Sequence, residues 1–326
     1  MEFQFLMKRH FHIAIGCLLL LLTSCEKEIQ VDLPRTDPRV VVEGYIETGA
    51  PPIVLLTRTQ GYFAPTSIGS IASSFITDAS VIVNDGNTSY TLTKICSAAL
   101  TPEQLEIAAG LTGFDIQLLT NANICIWTST ELIGENGRTY RLEVQTDGRS
   151  LSSITTIPNP VALDTLWFQL ALQQPDDDSL GLIWTDLDDP DTLGNAYRWF
   201  TQRLNKDGDQ SPRDSRFIPP LFGIFDDRYI NGIQDLPVNF FRGSEPYEPS
   251  DELNVEDGFF KRNDTVAFKL ASIGRTEYAF FNSYASNVVS DGDVFSTPAN
   301  IRSNIEGGLG IWVGYGTFVD TLICVP

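Results

Sequence analysis

Four carboxylates crowd into six residues at Asp186, Asp188, Asp189 and Asp191, the densest such cluster in the chain. Alternating aspartates are hard oxygen donors of the kind that hold calcium. The twelve-residue calcium loop fails here, because neither the glycine at its sixth position nor its closing glutamate is in place. The cluster therefore reads as a solvated turn, with calcium as the weaker alternative and no other metal candidate. Nucleophilic chemistry has less to work with. Both histidines, His10 and His12, fall in a leader expected to be removed. Without imidazole there is no Ser-His-Asp or Cys-His system and no histidine-ligated metal site. Paired carboxylates hydrolyse glycosides without histidine, but the spacing of the Asp and Glu residues singles out no pair. No catalytic residue and no cofactor is assigned. Gly307-Gly308-Leu309-Gly310 is followed by strand-like sequence rather than a helix, which argues against a phosphate cradle.

The leader is legible in its own right. Lys8, Arg9 and His10 precede an apolar run from Ile13 to Leu22, the layout of a secretory signal peptide. The run is too short to span a bilayer, which takes about 20 residues in a helix. Leu22-Thr23-Ser24-Cys25 resembles the lipobox of bacterial lipoproteins, which implies cleavage before Cys25 and acylation of that cysteine. Several acyl chains anchor durably, at about 0.8 kcal/mol per buried methylene. Met7 is the expected start, residues 1–24 the leader and residues 25–37 a polar tether. The acidic residues Glu26 and Glu28 resemble the export signal that sends some lipoproteins to the cell surface. The 302 residues left after processing carry a net charge near −21. That balance repels nucleic acid and anionic head groups.

Export also places the remaining thiols in an oxidising compartment. With Cys25 acylated, Cys96, Cys125 and Cys324 allow three pairings. Cys96 with Cys125 is favoured because both lie in the first half beside β-type sequence, which leaves Cys324 free. Three buried thiols are the alternative.

The elements that must position these groups are mostly strands. Val40 to Glu47 and Ile53 to Thr59 flank Gly49-Ala50-Pro51-Pro52, and Ser80 to Asn84 and Ser89 to Ile95 flank the hairpin signal Asp85-Gly86-Asn87. Gln60 to Phe75 lacks a period and reads as a long loop. Thr101-Pro102-Glu103 starts a short helix to Ala109. Tyr140, Leu142 and Val144 share one face of a half-buried strand. A tyrosine entering a strand after a glycine turn resembles the tyrosine corner of immunoglobulin-like sandwiches. Pro158-Asn159-Pro160 marks a boundary. The expectation is a mainly β protein, with an immunoglobulin-like β-sandwich over 38–158 and a second β-rich domain over 159–326. One substantial helix, Arg275 to Val289, carries an apolar stripe of Tyr278, Phe281, Ala285 and Val288.

Phe217, Phe222, Phe225, Tyr229, Phe240 and Phe241 lie among prolines and glycines. Core packing accounts for most of them, and a few form a candidate binding patch, since aromatics are enriched at recognition surfaces. Towards the end, Phe295-Ser296-Thr297-Pro298-Ala299-Asn300, Ser303 to Gly310 and Gly314-Tyr315 resemble the closing motif of the domain of unknown function 4249 family. Val41-Val42-Glu43-Gly44, Leu55 to Phe63, Ile157-Pro158 and Leu163 to Trp167 are similar to it too. The resemblance implies a lipoprotein in the outer membrane of a Gram-negative bacterium, held by lipid on Cys25 and more readily surface-exposed than facing the periplasm. It also implies a TonB-dependent outer-membrane β-barrel as partner. It implies no catalytic residue. Two classes of function follow, a non-enzymatic capture or accessory lipoprotein and, as alternatives, a carboxylate-only hydrolase or a free-standing adhesin or glycan binder.

Overall fold

The computed structural model describes residues 37–61, 67–171, 179–205, 213–244, 258–290 and 300–326. The leader, Cys25 and the tether up to residue 36 lie outside them. Strands occupy 43% and helices 17% of the described residues, so the protein is mainly β. The strands are β1 (Val40–Glu47), β2 (Ile53–Arg58), β3 (Ser80–Asn84), β4 (Ser89–Thr91), β5 (Thr93–Cys96), β6 (Cys125–Thr128), β7 (Thr139–Thr146) and β8 (Arg149–Thr156). They continue with β9 (Leu166–Leu170), β10 (Leu180–Leu187), β11 (Ala196–Arg203), β12 (Ile224–Asp226), β13 (Leu236–Phe240), β14 (Phe260–Lys261), β15 (Thr265–Ile273) and β16 (Leu309–Ile323). Helices α1 (Ile68–Ser74), α2 (Pro102–Thr112), α3 (Ile116–Asn121) and α4 (Arg275–Ser290) complete the set.

An eight-stranded sheet in the order β12-β11-β15-β16-β1-β2-β6-β5 forms the middle layer. Period-two alternation decides what each side carries. Val40, Val42 and Ile46 of β1 point into a core with Val54 and Leu56 of β2, Val81 and Val83 of β3, and Tyr140, Leu142 and Val144 of β7. The sheet β4-β3-β7-β8 thus closes the N-terminal immunoglobulin-like sandwich. Its hairpin turns at Gly86, whose φ of +93° suits glycine. The Asp85 carboxylate accepts from the N–H groups of Asn87 and Thr88 and pairs with Arg138 at 2.9 Å. Tyr140 makes the corner, its hydroxyl accepting the Glu135 N–H at 2.8 Å.

The same middle sheet is backed further along by the strands β13, β10, β14 and β9. Leu187, Tyr197, Trp199, Phe240, Phe268 and Leu270 fill that second interior. Strand β16 joins the two halves: residues 309–315 pair with β1 in parallel, and residues 316–323 pair with β15 antiparallel. Gly314 lets the chain leaving β8 cross over it, since a Cβ there would sit 2.6 Å from the Thr156 carbonyl oxygen. Residues Pro38–Pro326 accordingly form one compact unit. The expected cut at residue 158 falls inside it, because the last long strand is shared between both sandwiches, and strand pairing between chain ends cannot be seen from local sequence.

Helices cover the opposite face. Thr101 caps α2 with Gln104 completing a capping box, and Pro102 takes a first-turn position where its missing N–H costs nothing. Within the expected loop 60–75, Ser67 and Ser70 build another capping box and residues 68–74 turn into α1. Helix α3 follows on an Asp115 cap. Phe281 and Ala285 of α4 face the sheet and Tyr278 lies partly buried beside them, while Val288, at the helix end, is exposed. Among the described residues no helix is long and apolar enough to cross a membrane.

Candidate functional site

On the helix side of β1 stand Val41, Glu43, Tyr45 and Glu47. Glu43 is in register with Ile311 of β16 and Leu55 of β2. Ile311 belongs to the core under α4, and Leu55 packs against the core under α1, α2 and α3. The carboxyl therefore sits in the seam between the two helical groups. Water reaches the Glu43 side chain, yet desolvation by the surrounding protein raises it above the usual carboxylate range, against the pull of Arg198. Among the described residues, no hydrogen bond or ion pair reaches the Glu43 carboxyl.

The neighbouring charged groups are engaged. Lys269 Nζ lies 3.0 Å from Glu47 Oε2 and sits over the rings of Phe200 and Phe217, 4.7 and 4.6 Å from their centroids. The Arg198 guanidinium stacks 3.7 Å from the Phe281 centroid and donates to the Tyr315 hydroxyl at 2.9 Å. Tyr45 and Tyr315 are ring neighbours at 6.2 Å. Burial, helped by the charge of Glu47, pushes the Tyr45 phenol up to about 12. Burial also raises Tyr315, in spite of Arg198 beside it. Both phenols thus stay protonated near neutrality and offer hydrogen bonds rather than acting as bases. A glycosidase pair holds its carboxyl groups about 5 to 9.5 Å apart. Glu43 and Glu47 are four residues apart along one strand, about 13 Å by the strand rise, and Glu47 is occupied by Lys269.

The aspartate cluster does not form a site. Asp189 is fully buried, where its carboxylate accepts from the Tyr197 hydroxyl at 2.6 Å and from the Gly232 N–H at 3.1 Å. Asp188 accepts the Asp235 N–H at 2.8 Å. These bonds tie the turn after β10 to the turn before β13. Asp186, at the end of β10, and Asp188 and Asp191 beyond it are exposed, while Asp189 departs from the expected solvated turn. Among the described residues no group of three or more acidic, histidine or cysteine side chains is placed to hold a metal ion. Of the aromatic candidates, Phe240 is buried, Phe225 and Phe241 pack around Trp199, and Phe217 lies over Lys269. Only Phe222 and Tyr229 are exposed. Cys96 and Cys125 are opposite each other on β5 and β6 and are bonded, and Cys324 is free and buried. Two shallow grooves, of about 370 Å³ beside Arg141 and Glu306 and about 530 Å³ beside Arg275 and Arg302, do not include Glu43.

Sequence reasoning did not single out Glu43, Tyr45 or Arg198. The signal was present in Val40–Glu47, whose alternation puts both glutamates on one face, but a charged face reads as solvent until helices are known to cover it.

A family profile described as "Domain of unknown function (DUF4249)" matches residues 26–319. The chain belongs to this family. The DUF4249 match takes in every element from β1 into β16, so Glu43 and its neighbours on β1, β11, β15 and β16 lie inside it. No curated protein matches the chain. Among solved structures it is similar to a cycloalternan-degrading enzyme from Trueperella pyogenes in complex with cycloalternan, at 12% identity and a TM-score of 0.21. The alignment covers 85% of this chain and 34% of that one, so the chain spans about a third of that enzyme's length. A likeness at that level carries no inference about activity.

Proposed function

We propose that this DUF4249 protein is a non-enzymatic outer-membrane lipoprotein that captures a ligand at Glu43 and serves a TonB-dependent outer-membrane transporter. The observation that supports the capture role is the Glu43 carboxyl, exposed at the seam between two helical groups with no hydrogen bond or ion pair among the described residues. Small-ligand sites typically combine an apolar frame with a few convergent polar groups and a perturbed titratable residue. The lipid on Cys25 would hold the protein at the membrane surface beside its transporter. Phe222 and Tyr229 are the exposed rings of the aromatic segment, and they would supply part of the contact with the barrel. A specific interface buries about 1,600 Å² in total and draws its energy from a few such anchors.

Solubilising cells that carry a tagged copy in mild detergent tests the transporter role. A β-barrel recovered in near-equal amount, and lost with Phe222→Ala and Tyr229→Ala together, is the expected result. Recovery of the protein alone would overturn stable docking. Turnover of a polysaccharide by the purified chain, abolished by Glu43→Gln, would overturn the non-enzymatic role in favour of a carboxylate hydrolase.

A further inference from the structure

We infer that the groove between the start of α4 and residues 302–303 binds a small organic phosphate, with Arg275 and Arg302 as its anion-binding pair. This site is separate from Glu43 and does not depend on the capture role proposed there. The groove measures about 530 Å³ and is lined by Arg275, Thr276 and Ala279 of α4 and by Arg302 and Ser303. No carboxylate lines it.

The unpaired cations of the protein meet here. Every other described arginine and lysine is engaged. Carboxylates hold some, as Asp214 holds Arg203 and Glu47 holds Lys269. Backbone carbonyls accept from others, as Gly308 does from Arg39 and Pro38 from Arg149, and Arg198 is held by Phe281 and Tyr315. The side chains of Arg275 and Arg302 have no hydrogen bond, ion pair or ring contact among the described residues, and both line one groove. With 42 acidic residues against 22 basic ones, an unpaired guanidinium is the exception in this chain. Nearby acids are turned elsewhere. Glu277 is buried and accepts the Thr155 hydroxyl at 2.8 Å, and the buried Asp227 accepts the Asn195 N–H at 2.7 Å.

The walls are fixed before any ligand arrives. Arg302 donates its backbone N–H to Ser283 Oγ of α4 at 2.9 Å, and the Asn304 side chain makes two bonds to the Trp312 backbone, at 2.7 and 2.9 Å. Arg275 lies against Gly194, where a Cβ would come 2.9 Å from its Nε; glycine leaves room for the guanidinium. Prearranged walls lower the ordering cost of binding. Each guanidinium is a planar fork of donors. The Thr276 hydroxyl has no partner among the described residues, and Ser303 Oγ accepts the Ile305 N–H at 3.1 Å while keeping its own hydrogen to donate. A phosphate monoester has three terminal oxygens, enough to meet both forks and a hydroxyl, whereas a monocarboxylate has two and fills one fork. The volume falls within the range of about 300–1,000 Å³ usual for small-molecule sites, so an organic body fits beside the phosphoryl group. A formal charge of −20 repels anions at long range. Binding therefore draws on close contacts, which favours a small solute over an anionic membrane surface.

The full chain in mild detergent is titrated calorimetrically with glucose 6-phosphate, glucose, succinate and the short-chain lipid dihexanoyl phosphatidic acid. Glucose 6-phosphate is expected to bind, glucose not to bind, and succinate to bind about tenfold more weakly or worse. Arg275→Gln and Arg302→Gln should each weaken glucose 6-phosphate about tenfold or more. Arg275→Lys and Arg302→Lys keep the charge and lose the fork, so they should recover little of it. Arg228→Gln removes an exposed charge outside the groove and should change nothing. Because neither groove arginine is bonded in the fold, unchanged melting temperatures should separate lost binding from lost folding. Binding of the lipid alone, abolished by both glutamine variants, supports the phosphoryl site and assigns its source to a lipid head group. Glucose or succinate binding as tightly as glucose 6-phosphate overturns the inference. Indifference to the two arginines, or binding of none of the four compounds, overturns it as well.

Discussion

Replacing both Cys96 and Cys125 with alanine is expected to cost most of the stability that loop closure provides. The bond joins the four-residue edge strand β5 to β6 across a sequence separation of 29, and the loop it closes contains α2 and α3. In the chain-entropy treatment, closing a loop of that length removes about 12 cal/mol/K from the unfolded ensemble, or about 3.6 kcal/mol at 25 °C. Cys125 is fully buried, so losing its sulfur adds a packing loss and places the expected total at about 4 kcal/mol. That is a large part of the ~5–15 kcal/mol that holds a typical domain folded. Urea unfolding of the oxidised wild type, the reduced wild type and the double variant measures it, and m values show whether the transition stays two-state. Amide exchange over residues 97–124 should accelerate first, because the helices there lose their tether to the edge strand. A drop below about 1 kcal/mol with unchanged m would show that the bond constrains little of the unfolded chain, and the loop-closure reasoning would fail.

Asp214→Ala should cost about 3–5 kcal/mol in the same urea assay. It strips a buried guanidinium of a carboxylate that meets Arg203 at 2.7 Å and also accepts the Arg203 backbone N–H at 2.7 Å. Tyr140→Phe should cost about 1–2 kcal/mol, since the part-buried Glu135 N–H loses the hydroxyl that accepts it; a loss under 0.3 kcal/mol would mean that water replaces the corner bond. Glu277 is raised by burial, although its own backbone N–H and the Thr155 hydroxyl work against this. A raised carboxyl is protonated more readily in the folded state than in the unfolded one. Its favourable contribution is therefore present below the ordinary glutamate value of 4.5 and is lost as pH rises through the raised folded value. Melting temperatures across that range should fall less steeply with rising pH in Glu277→Gln than in the wild type. Parallel profiles would contradict the linkage.

Class and local structure were legible in the sequence because their causes are local. Alternation in Thr139–Thr146 is enough to bury Tyr140, Leu142 and Val144, and Asp85-Gly86-Asn87 is enough to turn a hairpin, because backbone sterics and side-chain period act within a few residues. The capping residues Thr101, Pro102 and Gln104 start α2 for the same reason. The α1 cap at Ser67 and Ser70 has equally local chemistry, but it lies in a stretch without apolar period, so only its docking against the sheet makes a helix of it. The aromatic run from Phe217 to Phe241 shows the limit from the other side. Composition marks every ring as apolar, and only the fold sends Phe240 inside and leaves Tyr229 out.

What the tertiary structure alone decided is the partnership of the chain's two ends and everything that follows from it. Gly310 to Tyr315 reads as strand, but nothing near it says that its parallel partner is Val42–Glu47, more than 260 residues away. That pairing fuses the two sandwiches and sets Glu43 next to Ile311. It also brings Arg198, Lys269 and Tyr315 to one face. Glu43 has the same chemistry in any strand, and its environment comes from strands and helices distant in sequence. Electrostatic desolvation depends on how much protein lies within several ångströms in every direction, a quantity that sequence order does not encode and that only the closed fold supplies.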